Sequence, residues 1–161
     1  MRFCGLTLLA SAVVLGACGV EKNASTSDSA ATATAVGDNA GGGAAAPITG
    51  KTIEVRMLQD AQGNYKFDPA DVTIKPGDGV KFVLVSGEPH NVAFDPSQVP
   101  ANGKAQLSAN MPTQVSELSS PMMLKPNESY TISFGEIPPG KYEFHCTPHL
   151  AMGMRGSVTV Q

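Results

Sequence analysis

Side chains that bind soft metal ions stand in two short stretches of this 161-residue chain. Cys146 and His149 lie near the C-terminus with two methionines, Met152 and Met154, and His90 lies far upstream. One thiolate, two imidazoles and a thioether suit copper in an electron-transfer site, where the thioether is a weak axial ligand. Zinc is disfavoured because it takes nitrogen, oxygen and thiolate donors rather than a thioether. These residues therefore predict a site in which one copper ion cycles between its two oxidation states.

Positions along the predicted strands indicate which of these side chains face inward. Side chains alternate between the two faces of a strand, so Tyr142, Phe144 and Cys146 share one face and His145 lies on the other. The same alternation turns His90 toward the interior. A single buried Cys is usually a small apolar core residue. A purely structural role is nevertheless a poor explanation of so many metal donors at these spacings.

The ligand pattern resembles that of the plastocyanin and azurin family of blue-copper proteins, the cupredoxins, and is most similar to plastocyanin and pseudoazurin. In that family a His follows the Cys by three residues and a Met by eight, and His149 and Met154 hold those places here. The resemblance implies that His90, Cys146, His149 and Met154 bind one type 1 copper ion. It extends over residues 51–161, through the stretches 67–69, 72–78, 90–95 and 153–160.

One alternative concerns the thioether ligand. The amicyanins, which have a shorter ligand loop, place the Met six residues after the Cys, and Met152 stands there. We favour Met154, because the sequence Gly-Met-x-Gly-x-Val-x-Val that leads into the last strand matches the members with longer loops. Met152 then belongs to the apolar surface of the loop.

We have two further expectations for the residues around the ligands. The resemblance implies that Asn91 and Thr147 link the two ligand loops by hydrogen bonds, and such contacts orient metal ligands. Pro148, Leu150 and Met152 lie beside the second imidazole, so we expect an apolar patch there. A redox partner would dock on this patch through a small, weak interface.

The elements that must position these residues form an all-β domain. Short segments separated by turn residues predict strands at 52–58, 71–75, 79–86, 91–94, 129–134, 141–146 and 156–160. Many short strands at this spacing indicate a single Greek-key β-sandwich of the cupredoxin type. Helical periodicity is nearly absent, with residues 95–127 as the stretch that could hold a helix.

The first 50 residues carry export signals rather than a core. A positive start and an apolar stretch too short to span a bilayer predict a signal peptide over residues 1–18. The sequence Leu15-Gly16-Ala17-Cys18 resembles a bacterial lipobox, so we expect lipidation of Cys18, with ordinary signal cleavage as the alternative. Residues 19–50 are rich in Ala, Ser, Thr and Gly and predict a disordered, flexible linker. Residues 51–161 remain as the copper domain.

Together these features predict an exported, membrane-anchored monomer that shuttles single electrons in the periplasm or another extracytoplasmic space. Its partners, by resemblance, are c-type cytochromes or a terminal oxidase or reductase. The net charge of −3 gives no strong electrostatic field, and the sequence has no pattern typical of nucleic-acid binding. A copper enzyme is disfavoured, because a second catalytic copper needs more His than the three in this chain. Plant plastocyanins have an acidic cluster where residues 95–98 stand and a Tyr where His145 stands, so the resemblance does not identify the partner.

Copper storage or delivery in the periplasm is the alternative function. Met111, Met122, Met123 and Met152 would then be additional contacts for Cu(I), although apolar packing explains these methionines more simply. A carrier holds one copper and cycles it, whereas a delivery protein passes its copper to an acceptor.

Overall fold

The structure, a computed structural model, describes residues 43–161. The predicted signal peptide, the lipidation site at Cys18 and the predicted linker up to residue 42 lie outside the described residues. Within the described part, none of the helices has the length and apolar character needed to cross a membrane.

Eight strands of the described residues form two four-stranded sheets, which confirms the predicted all-β sandwich. The first sheet has the order β2-β1-β4-β6 and the second the order β3-β8-β7-β5. The strands are β1 Thr52–Gln59, β2 Tyr65–Asp68, β3 Asp71–Ile74, β4 Gly79–Leu84, β5 Ala93–Phe94, β6 Ser129–Ser133, β7 Gly140–His145 and β8 Arg155–Val160. Between residues 43 and 161 the other elements are one α-helix, α1 Ala101–Asn110, and one 3₁₀ helix, Leu150–Met152.

Parallel pairing aligns the strands that lead to the metal-binding residues. β1 lies parallel to β4, with Thr52 opposite Gly79 and Met57 opposite Leu84. β3 lies parallel to β8 in the other sheet. The metal-binding residues follow the ends of β4 and β7, so both ligand-bearing segments emerge at the same end of the molecule as the end of β1.

Phe144 connects the two sheets directly beneath the end of β7. Its ring lies edge-on to Phe67 and Phe82 of the first sheet, with centroids 4.7 and 5.1 Å away. Edge-to-face packing of this kind adds to the gain from burial. Gly156 of β8 makes room for the ring, because a Cβ atom there would lie 2.6 Å from Phe144 Cζ. The floor of the metal-binding end is therefore a rigid aromatic cluster.

The helix α1 lies inside the stretch that the sequence left open. Its buried residues are Gly103, Leu107 and Asn110, which share one face of the helix by their spacing. Gly103 packs against Tyr142, where a Cβ atom would lie 2.4 Å from the phenol oxygen. Only one of the three buried residues has a large apolar side chain, so the sequence shows little helical periodicity.

The folded unit begins before residue 51, where the sequence predicted its start. Ala46 is buried and its backbone N–H donates to Asn110 Oδ1 at 2.8 Å. The N–H groups of Thr49 and Gly50 both donate to the carbonyl oxygen of Gly77 at 2.9 Å. The last residues of the predicted linker are thus fixed to the domain at the end opposite the metal-binding residues.

Candidate metal centre

Three predicted ligands meet in one buried cluster. His90 Nδ1, His149 Nδ1 and Cys146 Sγ all lie within 4.8 Å of one another. The two nitrogens are 3.2 Å apart, and the sulfur lies 3.5 Å from His90 Nδ1 and 3.4 Å from His149 Nδ1. His90 and Cys146 are fully buried, and His149 is 6% exposed.

The triangle of donor atoms fits a transition-metal ion. A point equidistant from three atoms at these separations lies about 2 Å from each, close to the bond lengths of a metal with imidazole nitrogen and thiolate sulfur. One thiolate and two imidazoles in a trigonal arrangement are typical of blue-copper sites. Both the donor chemistry and the size of the cluster therefore match copper.

The backbone and a hydrogen bond fix His90. Its N–H and carbonyl pair with those of Met123 at 3.1 and 2.8 Å, forming a bridge outside the main strands. Its Nε2 lies 2.9 Å from the carbonyl oxygen of Ser86, to which an Nε2–H would donate. That bond selects the tautomer that leaves the Nδ1 lone pair free for a metal.

A short closed loop carries the other donors. The N–H of Cys146 donates to the carbonyl of Met154 at 3.1 Å, and the N–H of Met154 donates to the carbonyl of His149 at 3.2 Å. Gly153 takes the left-handed conformation that ends the 3₁₀ helix, with φ of 84°. Met154 is fully buried at the end of this loop, whereas Met152 is 63% exposed.

Burial sets the protonation of the cluster. Loss of solvation lowers the pKa of His90 and of His149, so both imidazoles are neutral near pH 7. Burial also raises the pKa of the Cys146 thiol, although backbone N–H groups of Asn91 and His149 oppose that rise. The imidazole lone pairs are therefore available at neutral pH, and the thiol must release its proton when a metal binds.

Asn91 joins the two ligand segments. Its Oδ1 accepts a hydrogen bond from the N–H of Thr147 at 2.7 Å, and its Nδ2 donates to Thr147 Oγ1 at 3.1 Å. Its Nδ2 also lies 3.2 Å from Ser119 Oγ, a partner that the sequence did not suggest. The residue after His90 is thereby tied to the residue after Cys146.

The residues expected to receive a partner lie around the loop. Pro148 is exposed, Leu150 is half-buried and Met152 is largely exposed. His149 is more enclosed than its surface loop suggested, and His145 is half-buried on the other side of β7.

Tyr65 is an aromatic residue at this site that the sequence did not reveal. Its ring stacks on His149 with centroids 3.7 Å apart and an angle of 9° between the planes. It comes from β2, a strand absent from the prediction. The signal was present as Tyr65 and Phe67 at alternate positions after the turn at Gly63 and Asn64, a pattern typical of a short strand after a hairpin turn.

The methionines considered for copper storage divide into two pairs. Met111 and Met123 are buried in the core, whereas Met122 and Met152 are exposed. Two of the four thioethers are thus packed as apolar side chains.

The sequence matches the family model of copper binding proteins of the plastocyanin/azurin family over residues 54–161. This match covers most of the described residues and includes every predicted copper ligand.

Curated relatives and solved structures agree with that match. A plastocyanin from Prochlorothrix hollandica is 34% identical over 117 residues, which cover 73% of this chain and 79% of the relative. A chloroplastic plastocyanin from Physcomitrium patens is 40% identical over 107 residues, which cover 66% of this chain and 56% of that protein. The solved structure of oxidised plastocyanin from Dryopteris crassirhizoma is 28% identical with a TM-score of 0.52, and covers 68% of this chain and 100% of its own.

Proposed function

The chain belongs to the plastocyanin/azurin family of copper-binding proteins, and from this premise we propose that it is an exported, lipid-anchored electron carrier of the blue-copper type. Proteins of this family carry electrons and are not enzymes. The ligands of the copper ion are His90, Cys146, His149 and Met154. The observation that carries the assignment is the buried triangle of two imidazole nitrogens and one thiolate sulfur, with sides of 3.2 to 3.5 Å.

The thioether ligand would be Met154 rather than Met152. Met154 is buried and its backbone closes the ligand loop on Cys146, whereas Met152 projects from the 3₁₀ helix into solvent. A weak thioether ligand must still lie close to the other donors. The burial of Met154 supports this choice.

The protein holds its ligands in one geometry. Cys146 follows directly on β7, and the bridge to Met123 fixes His90. Bound copper supplies the chemistry by gaining or losing one electron. Because hydrogen bonds and core packing restrain the ligands, little rearrangement of the protein opposes that change. Burial also keeps water from the donor atoms.

Export and anchoring rest on the sequence before residue 43. A signal peptide over residues 1–18 would place the protein outside the cytoplasm, and lipid on Cys18 would attach it to a membrane surface. Stable attachment needs more than one acyl chain. The linker predicted over residues 19–50 would then join the anchor to the copper domain, with residues 46–50 held against that domain.

The surface around the ligand loop is the place for a redox partner. Pro148, Leu150 and Met152 provide accessible apolar side chains beside His149, the ligand with residual exposure. A small apolar contact suits a complex that must form and dissociate quickly. Suitable partners are a c-type cytochrome or a terminal oxidase or reductase.

Two cysteines allow the copper site and the anchor to be tested independently. The full chain is expressed with its signal, and its absorption spectrum is recorded during titration with Cu(II) and after reduction. We expect an intense visible thiolate-to-copper band that saturates at one copper and bleaches reversibly. Cys146→Ser should lose the band and remain in the membrane fraction, whereas Cys18→Ser should keep the band and leave that fraction.

Other outcomes would reject one part or the other. A colourless wild-type protein, or one that binds several Cu(I) ions without the band, would reject the electron carrier and favour copper storage. The exposed Met122 and Met152 would be the first candidates for such extra sites. A Cys18→Ser variant that stays in the membrane fraction would reject the lipid anchor alone.

A further inference from the structure

The two imidazoles of the metal centre are restrained in different ways. His90 Nε2 lies 2.9 Å from the Ser86 carbonyl oxygen, which fixes the orientation of its ring. The His149 ring is hydrogen-bonded within residues 43–161 only through Nδ1, to the other donor atoms. No acceptor in this part of the chain holds its Nε2.

An aromatic ring restrains His149 instead, through contact with the face of its imidazole. Tyr65 lies nearly parallel to the His149 ring, with centroids 3.7 Å apart and planes at 9°. The same ring is edge-on to His90, at 6.0 Å and 67°. Tyr65 belongs to the first sheet, whereas β7 and the loop with His149 belong to the second.

We infer that Tyr65 is a positioning residue that holds the His149 ring for copper by stacking, as the Ser86 carbonyl holds His90 by a hydrogen bond. The inference rests on the proposed copper site and deepens it. In this arrangement a side chain of the first sheet orients a copper ligand that the second sheet supplies.

Tyr65 is itself held firmly enough for this role. Its backbone pairs with Gln59 in the β1–β2 ladder, and its side chain packs against the core. Gly87 lies close to its ring, because a Cβ atom there would come within 3.1 Å of Tyr65 Cε1 and 2.6 Å of Gln59 Cβ. Gly87 also has a φ of 77°, which favours glycine. The phenol ring therefore has little room to move toward residue 87.

The expected size of the effect follows from ring stacking. A stacked aromatic pair favours the oriented ring over alternatives by about two- to tenfold. This is enough to change the fraction of His149 that is ready to bind copper, but too little to decide whether the domain folds. Tyr65 also covers one face of the ring and so contributes to the burial of His149.

The first test uses the metal-free full chain, kept reduced, and compares the ring resonances of both imidazoles by NMR. In the wild type we expect NOE contacts between Tyr65 and His149 and an upfield displacement of the His149 ring protons. Tyr65→Leu should abolish that displacement and increase the mobility of the His149 ring, with a smaller change at His90. Tyr65→Phe should retain both features.

The second test uses the copper-loaded chain. Tyr65→Leu should shift the midpoint potential and should raise the rate of copper release about two- to tenfold. Tyr65→Phe should have the potential and the release rate of the wild type. Ile53→Ala is the matched control, because Ile53 is likewise half-buried against the core but lies in β1 near its start. It should lower the melting temperature without changing the His149 resonances or the potential.

Two results would overturn the inference. One is a wild-type spectrum without contacts between the Tyr65 and His149 rings, which needs no variant. The other is a Tyr65→Leu protein whose His149 resonances and midpoint potential equal those of the wild type. A wild-type chain without the visible band would reject the copper site, while the metal-free comparison would still decide the role of Tyr65.

Discussion

Asn91 and Asn110 are buried asparagines at opposite ends of the sandwich, with 1% and 5% of their surfaces exposed. Each uses both its amide oxygen and its amide nitrogen to join segments that are far apart in the chain. Asn91 joins the segment after His90 to the residue after Cys146. Asn110 joins the N-terminal segment to the chain around the end of β6.

The partners of the two amides differ, and so should the consequences of losing them. Asn110 accepts from the Ala46 N–H and donates to the carbonyls of Ser133 and Gly135, at 2.8 to 3.0 Å. These are backbone groups that would otherwise be buried without partners. Asn91 instead holds the loop that carries the copper donors. The same amide chemistry therefore serves stability at one end and ligand geometry at the other.

The largest loss of stability is expected for Asn110→Ala. Several buried backbone groups lose their partners at once, so the free energy of unfolding should fall by about 3 kcal/mol. The midpoint potential should stay unchanged, because the copper donors lie at the other end. Urea unfolding and a redox titration measure the two quantities. Asn102→Ala, the same substitution at an exposed position of the same helix, is the control, and an equal loss there would contradict the role of the buried amide.

For Asn91→Ala we expect a loss of about 2 kcal/mol together with a shifted midpoint potential. Copper should still bind, since the donor side chains remain. The checks are the melting temperature of the copper-bound protein and its redox midpoint. If neither quantity changed, the assigned role of Asn91 would be wrong.

Thr147→Val separates the two hydrogen bonds that Asn91 makes with this residue. The variant loses the acceptor Oγ1 but keeps the N–H that donates to Asn91 Oδ1. The loss should be about 1 kcal/mol, with a shift of potential smaller than that of Asn91→Ala. Thr73→Val, at an exposed position of β3, is the control. A potential shift as large as that of Asn91→Ala would show that the hydroxyl, rather than the backbone bond, sets the geometry.

The smallest effect concerns Asp78, at the same end as Asn110. Its carboxylate accepts from the N–H groups of Lys75 and Lys51, and these bonds lower its pKa. A lowered pKa gives stability that is fully present above the ordinary value of about 3.9 and is lost as the pH falls through the lowered value. Asp78→Asn should therefore lower the melting temperature at neutral pH, and this difference should shrink in acid. A difference that grows in acid would contradict the assignment.

The features predicted correctly from the sequence were those that a local pattern of residues determines. Strand alternation and loop spacing were enough to bring His90, Cys146 and His149 together, because each follows a recognisable strand. Tyr65 was not predicted, since its partner is 84 positions away and in the other sheet. Helix α1 could be located only to residues 95–127, because its buried face contains Gly103 and Asn110 beside a single large apolar residue. Ala46 is held by that same Asn110, and Thr49 and Gly50 are held by Gly77, so the start of the folded unit could not be read from composition.

The attachment of residues 46–50 beside Gly77 has a mechanical consequence. From there β1 carries the chain about 25 Å to Gln59, whose N–H donates to Ser86 next to the His90 segment. A force applied to the chain at residues 46–50 would therefore act on the end of the domain farthest from the copper ligands. A partner that approaches the apolar patch around His149 therefore does not meet residues 46–50.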